Sequence, residues 1–268
     1  MNATTAKFEQ IAVDVREGVG TITLDNQELR NAATPLLVRE IMAALDAFEA
    51  ADSRVRCVVL TAVGNAFCSG GSLRPSDSEN KGSRDPGHPL EATHNPLMLR
   101  LRNLSMPFIT AVNGASVGFG ASLALMGDIV LASRRAFFLH GFSNIGLIPD
   151  GGATWCLPRV IGRVRAMEMS LLGERLSAGQ ALEWGLVNRV LDDDALHAEA
   201  HRMAASIARG PTRSFAITRQ LYWNGADRTF EEQLVAERHG QREAGTTEDF
   251  LEGVAAFKER RPPVFKGQ

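Results

Sequence analysis

A chain of 268 residues can form one large domain or one domain with an appendage, and 44% hydrophobic with 22% charged residues is typical of a folded, soluble protein. The formal net charge of −2 argues against broad binding to nucleic acid or to a membrane surface, so a small molecule is the expected partner. Cys57, Cys68 and Cys156 form no CxxC pair and predict reduced thiols in a cytoplasmic protein, not a disulfide framework or a zinc site.

The first predicted elements are a hairpin, a helix and a strand. No apolar segment typical of a signal peptide precedes them, and no apolar run reaches the roughly 18 residues of a membrane-spanning helix. Residues 10–24 alternate as a hairpin does. Thr34 is a predicted N-cap for a helix that starts at Pro35. Residues 56–61 predict a buried strand that leads into a glycine-rich turn.

The middle of the chain holds a polar loop and a second glycine-rich turn. Residues 74–96 are rich in Pro, Gly, Ser and Asp, and a loop of this length predicts a mobile cover beside a site. A helix of about ten residues follows, and then a strand at 108–112. The turn after that strand opens a helix near Gly118, and a further strand spans 129–132.

The remaining sequence begins with a third glycine-containing turn and then becomes helical. A strand is predicted at 136–139, and the turn after it opens a helix. Ser177 is the predicted N-cap of another helix. We therefore predict an α/β fold with a core over residues 1–200 and a helical C-terminal region over residues 201–268.

Each of the three glycine-rich turns follows a predicted strand. Backbone N–H groups from two of them could converge on one oxygen and form an oxyanion hole, and a helix N-terminus near Gly118 favours negative charge there. The third turn could place Asp150 as an acid or base. The alternatives are that the glycines only make turns, and that Asp150 caps the helix that starts at Gly151 and Gly152.

Two other kinds of site are weighed against this one. Residues 114–118 spell the G-x-S-x-G pattern of serine hydrolases, which would make Ser116 a nucleophile with Asp150 and His239 as partners. His197 and His201 have the spacing of metal ligands on a helix, but two histidines on a solvated face are favoured. We expect no metal.

Several segments together resemble the crotonase superfamily, which includes the enoyl-CoA hydratases and isomerases. The similarity covers nearly the whole chain, because five blocks match in the family's order: AFCSGGSL (66–73), AVNGASVGFGASLALMGDIVLAS (111–133), GLIPDGGATWCLPRVIG (146–162), LSAGQALEWGLVNRV (176–190) and FKERRPPVFKG (257–267). The resemblance implies a spiral of ββα units and a helical C-terminal region that forms homotrimers or dimers of trimers.

The resemblance also implies an acyl-CoA thioester as substrate, with no separate cofactor because coenzyme A is part of that substrate. The backbone N–H groups of Gly71 and Phe119 would hold the thioester oxygen. Hydratases of the family use two glutamates, and the matching positions here hold Ser122 and Phe142. Asp150 lies where isomerase-type members place their acidic residue, and one carboxylate can move a proton between two carbons.

Enoyl-CoA isomerisation is therefore the leading activity. The alternatives are a hydratase with atypical catalytic residues, a non-catalytic acyl-CoA binder, and the serine hydrolase. By the same resemblance, coenzyme A is expected near Arg30 and near backbone groups at Ala66 and Cys68, while Phe257 and Arg260 match positions that in relatives reach the coenzyme A of a neighbouring subunit.

The acyl group itself is not specified. Phe137, Phe138 and Phe142, with the loop at 74–96, could shape an apolar pocket, although such residues are more often core. An aspartate at this place also resembles the nucleophile of aryl-CoA dehalogenases, but Trp155 lies on the wrong side of it to match their tryptophan.

Overall fold

A computed structural model describes residues 8–72 and 85–268 of the chain. In chain order, the strands are β1 (Ile11–Arg16), β2 (Val19–Leu24), β3 (Cys57–Ala62), β4 (Ala66–Cys68), β5 (Phe108–Val112), β6 (Ala115–Val117), β7 (Ile129–Ser133), β8 (Phe137–Leu139), β9 (Leu176–Ser177) and β10 (Arg189–Leu191). The helices are α1 (Pro35–Phe48), α2 (Asn95–Arg102), α3 (Phe119–Ala124), α4 (Ala153–Leu172), α5 (Ala178–Glu183), α6 (Leu196–Ala208), α7 (Thr212–Gly225), α8 (Phe230–Ala244) and α9 (Glu248–Glu259).

These strands form two sheets that the chain visits alternately. A six-stranded sheet has the order β1-β2-β3-β5-β7-β10, with β1 and β2 antiparallel and the other neighbours parallel. A four-stranded sheet has the order β4-β6-β8-β9, in which only the β8–β9 pair is antiparallel among its described strands. Each turn of the chain thus adds one strand to each sheet, and the turns after β4, β6 and β8 meet at one edge.

Buried apolar side chains cover both faces of the six-stranded sheet. Along β3 the side chains alternate, so that Val58 and Leu60 join the larger cluster while Cys57 and Val59 join the smaller one. Helix α1 supplies the larger cluster, and α6 covers the other face with a row of alanines. Because α6 packs on the sheet, residue 200 lies inside a core helix. The predicted boundary between a core over residues 1–200 and a C-terminal region over residues 201–268 stays a prediction.

Several predicted boundaries agree with the structure. The Thr34 hydroxyl accepts a hydrogen bond from Leu37 N (3.1 Å) and Pro35 is the first residue of α1. Ser177 caps α5. The prediction of a loop over residues 74–96 is wrong at its C-terminal end, where Leu90–His94 is a π-helical turn that continues into α2. Residues 74–84 of that predicted loop lie outside the described part of the chain.

A buried arginine joins the C-terminal helices to this core. Arg219 on α7 pairs with Asp128 and donates hydrogen bonds to the carbonyls of Leu101 and Leu104. It therefore closes the C-terminal end of α2 as well as neutralising a carboxylate.

Among the described residues, no helix has the length and apolar character needed to cross a bilayer.

Candidate active site

The first two glycine-rich turns touch each other through glycines. A Cβ on Gly70 would lie 2.8 Å from Val117 O, and one on Gly120 would lie 2.2 Å from Cys68 O. Neither distance leaves room for a side chain, so the two backbones approach as closely as they do only because both residues are glycine. The turn after β4 and the start of α3 are thereby fixed side by side.

The third turn closes on the same place. A Cβ on Gly151 would lie 2.8 Å from Ser122 Cβ and 3.1 Å from the Phe119 ring, and Gly151 has a φ of +60° that also favours glycine. Asp150, one residue earlier, is therefore held next to α3. The three turns thus lie against one another, while the convergence of their N–H groups on one oxygen stays a prediction.

Two backbone donors at this junction have no acceptor in the described part of the chain. They are the N–H groups of Gly71, in the first turn, and of Phe119, the first residue of α3. The first turn is fixed from the other side, because Ala33 N donates to Gly70 O (2.8 Å). Unpaired N–H groups beside one another can stabilise an oxygen that gains negative charge. Their role as an oxyanion hole stays a prediction.

A histidine without a signal in the sequence, His94, packs against both residues that carry these donors. The His94 ring stacks on the Phe119 ring with centroids 4.1 Å apart, and its Cε1 lies 3.5 Å from where a Cβ on Gly71 would be. Nε2 lies 3.3 Å from Ala33 O, which can only accept, so Nε2 carries the proton of the neutral ring. Burial lowers the pKa of His94, and Nδ1 is left as a buried acceptor with no partner among the described residues.

Asp150 is a carboxyl group in an unfavourable place for a charge. Burial raises its pKa to about 6, and Oδ1 is buried without a hydrogen-bond partner in the described chain. Its side chain does not cap α4, whose N-cap residue is Gly152, so the capping interpretation is wrong. Ser122 Oγ instead donates to the backbone carbonyl of Asp150 (2.8 Å) and fixes this turn to α3.

The two positions that match the hydratase glutamates carry no acid. The Ser122 hydroxyl is engaged by the bond just described, and Phe142 is buried against Gly118. Behind Phe142, at 6.0 Å between ring centroids, His140 is fully buried and neither of its nitrogens has a partner among the described residues. Burial lowers the pKa of His140 to about 4, so the ring is neutral at pH 7.

Three of the residues predicted to contact coenzyme A lie together at the first turn. The Arg30 carbonyl accepts a hydrogen bond from Ser69 N (3.1 Å), while the Arg30 side chain is exposed. Ala66 and Cys68 form the ends of β4 and are buried. Burial raises the pKa of the Cys68 thiol to about 11, and the residue has no exposed surface, so its predicted contact with coenzyme A stays a prediction.

The other two predicted contacts lie on the C-terminal helices. Phe257 is 85% exposed near the end of α9 and lines a groove with Pro211 and Phe250, and Arg260 is the exposed residue that ends this helix. The structure does not bring them to the glycine turns of their own chain. Their predicted contact with the coenzyme A of another subunit stays a prediction.

The structure argues against the serine hydrolase. Ser116 is a strand residue of β6 with a fully buried side chain, so its hydroxyl cannot reach a substrate. His239, its proposed partner, is exposed on α8. On α6, His197 Nδ1 lies 3.3 Å from the Thr61 hydroxyl, and no cluster of three potential metal ligands occurs in residues 8–72 and 85–268.

A cavity of about 180 Å³ opens beside the third turn, and its walls were not predicted. The residues that line it come from α2, the segment after α3, the third turn, the start of α4, and α7: Met98, Leu99, Arg102, Met126, Gly151, Gly152, Trp155, Cys156 and Trp223. The phenylalanines that the sequence suggested lie elsewhere, since Phe138 is fully buried and Arg175 covers the Phe137 ring. Trp223 carried no sequence signal, because α7 is remote in the chain.

Comparison with known proteins points to one family. Residues 14–268 match the family model described as enoyl-CoA hydratase/isomerase. The 1,2-epoxyphenylacetyl-CoA isomerase of Escherichia coli (strain K12) is 42% identical over 262 residues, covering 97% of this chain and 100% of the relative. Enoyl-CoA hydratases from Bacillus anthracis (31% identical, TM-score 0.90, 97% and 100% of the two chains) and Polaromonas sp. JS666 (34%, 0.88, 95% and 99%) have similar structures.

Proposed function

The chain belongs to the enoyl-CoA hydratase/isomerase family, and from that premise we propose that it is an isomerase that moves a carbon–carbon double bond of an enoyl-CoA thioester. Membership confirms the resemblance seen in the sequence and, with the solved structures, the crotonase-type α/β spiral. The family consists of enzymes that act on acyl-CoA thioesters. Whether this chain isomerises or hydrates its substrate must be inferred from the residues of the site.

In the proposed reaction, the N–H groups of Gly71 and Phe119 hold the thioester oxygen. The Asp150 carboxylate takes a proton from C2 of a 3-enoyl thioester, and the electron pair moves toward the oxygen that the two donors stabilise. The same carboxyl group then returns its proton to C4. The double bond moves from C3–C4 to C2–C3, and Asp150 ends as the carboxylate that began the cycle.

One observation carries this proposal: Asp150 Oδ1 is a buried carboxylate oxygen with no partner in the described chain, and the next residue, Gly151, packs against Phe119, whose N–H group also has no acceptor there. A pKa raised to about 6 suits a group that must accept a proton and give it back near neutral pH. Hydration needs a second group for water, but Ser122 is bonded to a carbonyl and Phe142 is apolar. These contacts favour isomerisation over hydration.

We also propose that the active form is a trimer or a dimer of trimers. Val164, Met167 and Leu171 form an exposed apolar stripe on the part of α4 that follows a kink at Gly162, with Val164 75% exposed. Burying this stripe against another copy would remove it from water. Coenzyme A would then meet Arg30 of its own subunit, while the predicted contacts on α9 would be made across the interface.

The deciding experiment compares wild type with Asp150→Asn on 2-enoyl- and 3-enoyl-CoA esters, following double-bond migration and water addition separately. Wild type should shift the bond, and the variant should bind the esters but lose at least about 10²-fold in kcat. The exposed Asp52→Asn is the matched control and should behave as wild type. Efficient hydration that survives in Asp150→Asn would overturn the assignment. Binding without turnover in either protein would indicate an acyl-CoA binder.

A further inference from the structure

The proposed reaction gives His94 no task, although its ring packs on both residues that carry the proposed donors. The ring stacks on that of Phe119, with centroids 4.1 Å apart and an interplanar angle of 18°. Its Cε1 atom lies 3.5 Å from the position that a Cβ on Gly71 would take, which is an ordinary van der Waals distance. Only 5% of His94 is exposed. One buried ring thus contacts the turn after β4 and the start of α3.

A hydrogen bond holds the same ring to the first turn. Nε2, which carries the proton, donates to Ala33 O at 3.3 Å. The N–H group of Ala33 in turn donates to Gly70 O at 2.8 Å, and Ala33 pairs with Gly71 in a β-bridge. The His94 ring and the first turn therefore share Ala33 as a partner, so the ring cannot move away from the turn without breaking this bond.

The Phe119 ring is contacted by two of its neighbours in space. It stacks on His94, and a Cβ on Gly151 would lie only 3.1 Å from it. Phe119 is 1% exposed and is the first residue of α3. Because its ring is packed in one place, the backbone N–H group at the N-terminus of this helix is held in place as well.

Histidine supplies two contacts here that an apolar residue could not combine. Burial lowers the pKa of His94, so the ring is neutral at pH 7, and Nδ1 is a buried acceptor without a partner in residues 8–72 and 85–268. Phenylalanine would stack without burying that nitrogen, but it could not donate to Ala33 O. His94 also ends the π-helical turn Leu90–His94, and such turns are frequent at functional sites.

We propose that His94 is a positioning residue that sets the separation between the N–H groups of Gly71 and Phe119. This rests on the proposed function, because it takes those two groups to hold the thioester oxygen. That oxygen carries most negative charge in the transition state, so a change in donor spacing should lower kcat more than it weakens binding of the ester. A displacement of about 1 Å in such a site can cost about 10²-fold in rate.

The kinetic test compares His94→Ala, which removes the stack and the hydrogen bond, with His94→Phe, which keeps the stack. On a 3-enoyl-CoA ester, His94→Ala should lower kcat about 10²-fold with KM within about threefold of wild type, and His94→Phe should lose less. Should His94→Ala fail to fold, His94→Gln takes its place, since it keeps a donor for Ala33 O but not the stack.

Leu101→Ala is the matched structural control, because Leu101 is 1% exposed and lies two turns further along α2. It should lower the urea midpoint of unfolding and leave kcat unchanged. A loss of kcat in Leu101→Ala as large as in His94→Ala would show that His94 only supports the core. Equal losses in His94→Ala and His94→Phe would show that the stack on Phe119 does not position the donors. Either result would overturn the proposal.

A second measurement does not depend on double-bond migration. Acetyl-CoA labelled with carbon-13 at the carbonyl has no double bond to move, and hydrogen bonds that polarise this carbonyl shift its NMR resonance downfield. Wild type should shift the resonance of the bound ester, and His94→Ala should bind the ester with similar affinity but lose most of the shift.

The outcomes separate this proposal from the proposed function. The same shift in wild type and in His94→Ala would overturn the positioning role and leave the isomerase standing. A shift that depends on His94 in a protein that moves no double bond would refute the isomerase and support the positioning role. A wild type that does not bind the ester, or binds it without a shift, would overturn both.

Discussion

Asp150→Asn should stabilise the protein while it abolishes isomerisation. Folding raises the pKa of Asp150 from 3.8 to about 6, so the folded state binds the proton more tightly than the unfolded state does. The stability of the wild type therefore falls as pH rises through the window from 3.8 to about 6, and the cost is complete above it. Asparagine cannot ionise, so the variant has no such cost.

The size of this effect follows from the shift. About two pKa units correspond to roughly 3 kcal/mol. Since the carboxyl is partly exposed, solvent screening reduces the expected gain to about 1–2 kcal/mol at pH 8. Between pH 8 and pH 5 the gain should shrink, because the wild-type carboxyl becomes protonated in the folded state.

The assay is urea unfolding of wild type and variant at pH 5 and pH 8, at one protein concentration because self-association adds to stability. Asp52→Asn, at an exposed position, should show no pH-dependent gain. A variant that is less stable than wild type at pH 8, or a gain that is the same at both pH values, would refute the reasoning. The stability cost of Asp150 would then lie in something other than a buried charge.

The remaining predictions concern the rate profile, the glycine contact and the buried arginine. Since the base must be ionised, the wild-type isomerisation rate should rise with pH to a plateau above about 6, and a rate that falls from pH 5 to pH 7 would contradict this. Gly120→Ala puts a Cβ 2.2 Å from Cys68 O and should lower kcat/KM about 10²-fold. Gly179→Ala is the control, because a Cβ there would have nothing within 4 Å, and it should leave kcat/KM unchanged. Equal effects of the two substitutions would show that the contact between Gly120 and Cys68 does not position the site. Arg219→Met should lower the free energy of unfolding by about 3–5 kcal/mol, because it removes the cation paired with Asp128 and takes away the donors that Arg219 supplies to the buried carbonyls of Leu101 and Leu104. Arg213→Met, at an exposed ion pair, should cost less than about 1 kcal/mol, and similar losses for the two variants would argue against the burial of Arg219 as the cause.

The sequence predicts the six-stranded sheet well, but of the four-stranded sheet it predicts only β8, as the strand at 136–139. The strand predicted at 108–112 coincides with β5, because five consecutive buried residues leave a clear apolar run. The other three strands of that sheet, β4, β6 and β9, have two or three residues each and are too short to show a periodic pattern in the sequence. What fixes them is pairing with distant strands, which only the assembled spiral supplies.

The same distinction holds for the site. The order of the motifs in the sequence points to Gly71, Phe119 and Asp150, because each of the turns that carry them is continuous in sequence. His94 fell within residues assigned to a loop, and its position against Phe119 depends on the π-helical turn that continues into α2. The cavity could be predicted from the sequence even less well. Its aromatic wall pairs Trp155 with a residue 68 positions later, and no local pattern links helices so far apart.

The buried polar groups around α3 argue that this junction is built for a ligand. Folding alone would favour apolar side chains at Asp150 and His94, since a buried polar atom without a partner costs about 1–3 kcal/mol. Both flank Phe119, one through Gly151 and one by stacking, and the N–H groups of Phe119 and Gly71 have no acceptor in residues 8–72 and 85–268. An enolate needs donors for its oxygen and a base for its carbon, and the proposed function assigns these tasks to the groups without partners in the described chain. The local cost to stability and the proposed chemistry therefore have one origin.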